Sequence, residues 1–496
     1  MKITKSVVLM IFIFFVLTFI TSVYGAQKGN LFIGWASESI TPSKPAYLRG
    51  QMYKRISEYV RDPITTTALA FETKETNGNS EQAIMISCDQ VAISKATQDK
   101  VRERVKERIA DFKVNNLFLN ATHTHTAPCP EGSIFYDSGI DEGVMTYEEF
   151  GEFLVERIVE AAVKAWKNRK PGGVSWGLGH AVVGHNRRVE YTDGSTVMYG
   201  STDTERFKGL EGPSDHGVDM VFCWDTNSEL TGVIINLACP SQIVESERYI
   251  SADFWGEVRK ELRDRYSEAL FILPQCGAAG DQSPRDLPRR KRGEPDMREE
   301  EGLIEIGERI ADAVDRVYPR AKNTIVTKLI FKHTVENIDL PLRRVTEKEY
   351  EDALSAYTMY TALKEQESLK EKFSDDFTDP FIRIMGNNKK IIDRYLEQRS
   401  NPYYTIDLHV IRLGDVAFAN NPFELFLDYG LQIIARSKAE QTFIIQLSGD
   451  SGGYLPTARA IQGGGYSAYI YSNKVGPQGG EVLVNETVKR INNMWE

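Results

Sequence analysis

Cysteine is sparse in this chain: five residues in 496, at Cys88, Cys129, Cys223, Cys239 and Cys276. An odd, scattered set is no disulfide scaffold, and without a Cys-x-x-Cys pair it offers no cysteine zinc site. Cys88, Cys223 and Cys239 lie in or beside apolar runs and read as buried thiols. Long apolar runs are missing beyond the N terminus. There, Lys2 and Lys5 precede VVLMIFIFFVLTFI, and Val23 and Gly25 put small residues at −3 and −1 of a cleavage site. Residues 1–25 therefore read as a signal peptide cut after Gly25. The run is too short for a membrane anchor, and no cysteine near the cut invites a lipid. An exported protein, periplasmic or secreted, is expected, with no transmembrane segment after signal removal.

Positive charge is also in deficit. The formal net charge is −10, and losing Lys2 and Lys5 takes it to −12. That balance excludes a general nucleic-acid or anionic-membrane binder. No repeat and no low-complexity tract is legible. Apolar content of 41% in a chain this long allows one large domain or two medium ones.

Strand-like runs alternate with helical patterns. QAIMISC (Gln82–Cys88) precedes the amphipathic ATQDKVRERVKERIADF, and NLFLNA precedes TYEEFGEFLVERIVEAAVKAWKNR (Thr146–Arg169). Thr146 suits a helix cap, with Glu148 in the first turn. GVIINLAC, ADFWGEVRKELRDRYSE and ALFIL continue the alternation; TIDLHVIRL, VAFAN, TFIIQL and a last helix at EVLVNETVKRINNMWE close it. The order predicts an α/β fold: a mixed β-sheet core covered by helices, in a single large catalytic domain over 26–496. The polar stretch 346–398, broken around FSDDFTDPF, reads as a helical insertion. The charged run Asp286–Gly302 reads as a solvated loop. Polar residues where such strands end are the natural place for a site.

NATHTHTAPCP (Asn120–Pro130) follows one of these strands. In extended chain, His123 and His125 share a face. Imidazole is a good zinc ligand, but two histidines suit a polar strand end equally well. CGAAGDQSPRD (Cys276–Asp286) aims Asp281 and Ser283 from a glycine turn, and GHNRRV supplies Arg187, a bidentate clamp for an oxyanion. Glu424 stands among apolar residues in NNPFELFLDYG, so it is paired, ligated or at a cleft edge. SGGYLPTARAIQGGGYSAY carries Tyr454 and Tyr466 between glycines. His180, His333 and His409 read as structural or surface residues, and His185 is not assigned to the pocket.

These segments, in this order, resemble the neutral/alkaline ceramidases, zinc-dependent amidohydrolases. SITPSKPAYLRG looks like the family's opening D-I-T-P segment, with Ser39 for the aspartate, and RDPITTTALAF its D-P-L-x-x-R-A segment. THTHTAP resembles T-H-T-H-S-G-P, HNRR an N-R segment, and GDQSP the motif G-D-V-S-P. FELF and GGYLPT stand where the family carries a glutamate and a tyrosine ligand. The resemblance implies a metal shell of His123, Glu424 and Tyr454, and catalytic or substrate-facing roles for His125, Arg187, Ser283, Tyr466 and Asp281. It departs in one place. Where the family has a second histidine ligand, this chain reads Ala238-Cys239-Pro240-Ser241-Gln242. Gln242 and Glu245 are substitutes by position and His216 by chemistry, and an oxygen ligand would harden the site towards a divalent ion other than Zn2+. The chain also ends about where longer members begin an immunoglobulin-like domain.

Three functions follow as expectations. The first is an exported metal-dependent hydrolase cleaving an N-acyl bond of a small lipid-like substrate. The second keeps the pocket and changes the bond, to an ester or glycosidic linkage of a glycan. The third is a binding protein that has lost a metal ligand and with it catalysis.

Overall fold

The alternation of strands and helices is realised three times over. The computed structural model describes residues 28–75, 78, 80–132, 141–294, 297–364 and 380–496; the signal-peptide assignment and the interruption of the insertion around FSDDFTDPF lie outside the described residues or at their edge. The first unit runs β1 (Gly29–Ser39), β2 (Thr65–Lys74), β3 (Ser80–Cys88), α1 (Lys95–Arg108), β4 (Leu117–Ala121) and α2 (Tyr147–Lys167). The second runs β5 (Gly173–His180), β6 (Gly217–Trp224), β7 (Leu230–Leu237), α3 (Phe254–Arg265), β8 (Phe271–Cys276) and α4 (Glu300–Lys322). The third opens with β9 (Phe331–Pro341) and the inserted helices α5 (Glu347–Lys364) and α6 (Pro380–Glu397). It continues through β10 (Tyr403–Leu413), β11 (Val416–Asn420), α7 (Leu427–Arg436), β12 (Gln441–Ile445) and α8 (Pro477–Asn493).

Each unit builds its sheet in the same way. The first strand is antiparallel to the second, the second to the third, and the third runs parallel to the fourth across a helical crossover. Sequence inspection shows no repeat, yet the topology repeats. A packed strand needs only apolar side chains on alternate positions, so three units can share a path without sharing residues.

That alternation sets the layers. In β2, Leu69 and Phe71 face one core while Ala68 and Ala70 face another; in β4, Phe118 faces opposite to Leu117 and Leu119. The central core joins all three sheets: Trp35 and Met85 from the first, Val221 and Leu273 from the second, Phe418 and Phe443 from the third. Outer faces are covered by helices, α2 and α4 over one core and α8 over the other. A mixed-sheet α/β architecture is thus what the chain adopts.

Local signals explain the ends. Thr146 caps α2, and Glu149 completes the reciprocal capping box, one residue beyond the glutamate singled out above; Glu148 lies in the first turn. Pro477 starts α8 four residues before EVLVNETV, where a missing N–H costs nothing. The helical reading of 346–398 corresponds to α5 and α6, which pack through Val345, Ala353, Ile391 and Ile392. Leu287–Lys291 forms a short helix within the expected loop. All five cysteines are buried and unpaired. Among the described residues no helix is long and apolar enough to cross a membrane.

Candidate active site

The segments that leave the carboxyl ends of the parallel strands converge on one cavity of about 640 Å³. His123 follows β4 by two residues, Gln242 follows β7, and Glu424 follows β11. Two short strand pairs fix the rest. His185–Asn186 pairs with Gln282–Ser283, and Glu424–Leu425 pairs with Tyr454–Leu455. The lining includes His123, His125, Arg187, Gln242, Glu245, Glu424, Tyr454 and Tyr466.

His123 adopts φ 68, a left-handed conformation that costs a non-glycine residue roughly 1 kcal/mol or more. Leu447, two residues past β12, does the same at φ 53, so the bend recurs in two units. The turn is held by His123 N donating to Gln90 O at 2.9 Å and by the Nδ1 contact to Val91 O at 2.6 Å. Nε2 then faces Glu424 Oε2 at 3.5 Å. Arg187, 2% exposed, approaches the same oxygen at 3.6 Å. It also donates to Gln242 Oε1 (3.1 Å), Tyr199 OH (3.2 Å), Gly280 O (2.9 Å) and Tyr454 OH (3.3 Å). Burial opposes ionisation of Glu424, but the His123 hydrogen bond and the Arg187 charge hold its carboxyl below the ordinary value. Burial, with Glu424 nearby, keeps the Tyr454 hydroxyl protonated well above its usual range. Burial also pushes Tyr466 up to about 12.

His125 occupies the facing wall. Its Nε2 meets Gln242 Nε2 at 2.7 Å. Because Gln242 Oε1 already accepts from Arg187, the amide nitrogen donates and the imidazole accepts, which places the ring proton on Nδ1. Burial, then the charges of His123, Arg55, Arg187 and Arg49, push its pKa well below the ordinary value, so the ring is neutral. Nδ1 has no hydrogen-bond partner, with Glu245 Oε2 at 3.7 Å. Gly50, at φ 115, leaves room for this ring: a Cβ there would lie 2.5 to 2.7 Å from its atoms.

Other expected residues stand behind the cavity. Asp281 is buried; its carboxylate accepts from Asn186 Nδ2 and from Leu427 N, both at 2.9 Å, and so seats the start of α7 beside Glu424. Gly280 lets that turn approach, since a Cβ would meet Glu424 O at 2.2 Å. Ser283 is fully buried, 3.3 Å from the hydroxyl of Tyr199, which lies between it and the cavity. His216 lies edge-to-face between His180 and His185, with ring centroids at 5.8 and 5.7 Å, apart from the cavity lining. Tyr199 was not singled out from the sequence. It touches Arg187, Gln242 and Ser283 at once, and nothing in YTDGSTVMYG marks it.

The zinc implied by the resemblance can be tested against these donors. His123 has a ligand's orientation, with Nδ1 tied to a carbonyl and Nε2 turned inward. The rest of the set does not follow. Gln242 is engaged at both ends of its amide, Pro240 and Ser241 bring no imidazole, and the Arg187 guanidinium faces the carboxylate oxygen a cation would take. Among the described residues no group of three His, Cys, Asp or Glu side chains is arranged to hold a metal. The residues present do not fit a resident zinc.

Fold and cavity together define a mixed α/β protein with a charged cleft at the carboxyl ends of three parallel strand pairs. No protein-family model matches the chain. No curated protein matches it. Solved structures do. A neutral ceramidase from Pseudomonas aeruginosa matches at TM-score 0.66 and 17% identity, over 93% of this chain and 74% of that one. A ceramidase complexed with C2 matches at TM-score 0.64 and 16% identity, with the same coverage. The chain therefore has a divergent ceramidase-like fold.

Proposed function

We propose that the protein is a hydrolase acting on a hydroxyl-rich substrate, a glycan, by acid–base chemistry of its own side chains. The observation that carries this reading is the cavity wall. Arg49, Arg187, Arg383, Glu131, Glu245 and Glu424 all line it, and His125 Nδ1 and Arg187 Nε, both buried, have no hydrogen-bond partner among the described residues. Buried donors without partners cost free energy unless a ligand or water meets them. Sugar hydroxyls suit such a wall; an acyl chain would desolvate these charges and meet none of the open hydrogen-bonding positions.

Ionised Glu424 takes a proton from the attacking water and returns it to the oxygen of the leaving group as its bond breaks. Arg187 donates through Nε–H, which has no acceptor among the described residues, to the oxygen that gains negative charge, and its Nη contacts to Gln242 and Gly280 already fix the guanidinium. His125 Nδ1–H, opposite Glu245, orients a substrate oxygen. An amide bond is the second reading, favoured by the likeness to ceramidase folds.

Turnover by the full mature chain on a glycan panel and on an N-acylsphingosine separates the two. Release of reducing ends or of esterified acid, lost at least a thousandfold in Glu424→Gln, supports the proposal. Cleavage of the sphingolipid alone sinks it. Binding of glycans without turnover of either class would make the protein a binder.

A further inference from the structure

A second cavity, also about 640 Å³, adjoins the first and shares Met52, Glu424, Tyr454 and Tyr466 with it. The inserted helix α6 and the glycine-rich loop after β12 form its wall. α6 presents Lys390 and Arg394, one turn apart, and Lys474 faces them from the loop side. Arg343 lies beside Arg394. None of these four cations has a carboxylate within ion-pair distance among the described residues. Arg394 donates to Asn473 O at 2.5 Å, Lys474 Nζ to Ser451 O at 3.3 Å, and Arg343 to Ala468 O at 2.7 Å. The three acidic residues of the cavity wall are otherwise occupied: Asp393 pairs with Lys389, whose charge Glu397 also supports, and Glu424 faces Arg187. Burial and the neighbouring Arg343 lower Arg394 to about 10, against the charge of Glu349.

Cations held together without direct ion pairs of their own are costly unless an anion joins them. In a chain with formal charge −10, such a focus of positive charge is out of keeping with the rest of the molecule. Tyr466 and Tyr471 line the same cavity and offer rings to a sugar face.

We infer that this second cavity is a subsite for an anionic sugar next to the residue held at Glu424, so that the substrate is an acidic glycan, carrying a carboxylate or a sulfate. The inference rests on the glycan reading above, but its test does not need turnover. The probes are a galacturonate trisaccharide, a sulfated disaccharide and a neutral trisaccharide, titrated calorimetrically into the full mature chain at low and high salt. At least one acidic probe should bind tenfold or more tighter than the neutral one, and the advantage should shrink with salt. Which acidic probe wins identifies carboxylate or sulfate as the source. Arg394→Gln should remove the advantage. Because Arg394 also holds Asn473, Lys390→Glu provides a second variant: Lys390 is exposed and has no hydrogen-bond partner among the described residues, so the fold stays intact while the acidic probes lose at least tenfold and the neutral one is unchanged. Equal binding of acidic and neutral probes overturns the inference, as does an unaltered acidic preference in Lys390→Glu. Failure of hydrolysis with the acidic preference intact would count against the catalytic reading alone.

Discussion

The contact between Glu424 and Arg187 is where the reading of the site is most exposed to test. Arg187 Nη2 lies 3.6 Å from Glu424 Oε2, and both groups are largely removed from solvent, at 3% and 16% side-chain exposure. At an effective dielectric of about 20, charges so placed attract by roughly 4 to 5 kcal/mol before desolvation is counted. Glu424→Gln keeps the shape and removes the charge, leaving a buried guanidinium without its counter-ion. Breaking one partner of such a pair costs about 3 to 5 kcal/mol. Arg187→Met removes the cation and its bonds to Gln242, Gly280 and Tyr454, at a similar cost. The double variant has no charge left to strand, so its loss should fall short of the sum by about 2 kcal/mol or more. Urea unfolding followed by far-UV circular dichroism, with and without chelator, measures all four corners. A coupling below about 0.5 kcal/mol would refute direct pairing. So would a Glu424→Gln defect that disappears when the wild type is stripped of metal, for then a bound ion was the partner.

Three further outcomes follow from particular contacts. Zinc added to the purified chain and dialysed away should remain far below one ion per chain, as read by atomic emission, and His123→Ala should not change that figure. Gly50→Ala would put a methyl group 2.5 Å from the His125 ring in a backbone conformation only glycine adopts readily, so turnover should fall at least tenfold while the circular dichroism spectrum is kept. His333 and His409 form a buried chain, with His333 Nε2 3.0 Å from His409 Nδ1 and Arg102 Nη2 3.0 Å from His409 Nε2. Burial lowers His333 to about 4, and burial with the charges of His333 and Arg102 holds His409 well below its ordinary value. Folded values below the unfolded ~6.5 mean stability is complete above that pH and is lost as pH falls towards 4, by up to about 3 kcal/mol for His333 alone. His333→Gln should flatten that decline in a thermal-melt series from pH 7 to 4.

Much of the fold is legible in the chain because secondary structure answers to local pattern. The continuous apolar run in QAIMISC, buried on both faces, and the 3.6-residue spacing in TYEEFGEFLVERIVEAAVKAW suffice to give β3 and α2. The odd cysteines lack partners in the structure as the spacing suggested. The site is legible in part: His123 and His125 follow an apolar run, Glu424 stands among apolar residues, Arg187 lies in GHNRRV, and Tyr454 and Tyr466 stand beside glycines. Tyr199 lies in an ordinary hairpin, and Asp281 and Ser283 look like cavity residues until packing places them behind it.

By itself, then, the sequence determined the class of fold and the polar residues available for chemistry, because both depend on neighbours a few positions away. The tertiary structure decided three things. It repeated one strand order in three units that share no visible residues, it set a guanidinium rather than an imidazole against Glu424, and it opened a second, cationic cavity beside the first. Each depends on side chains from different units meeting across the central sheets, over separations such as the 237 positions between Arg187 and Glu424, and no local pattern encodes a meeting at that distance.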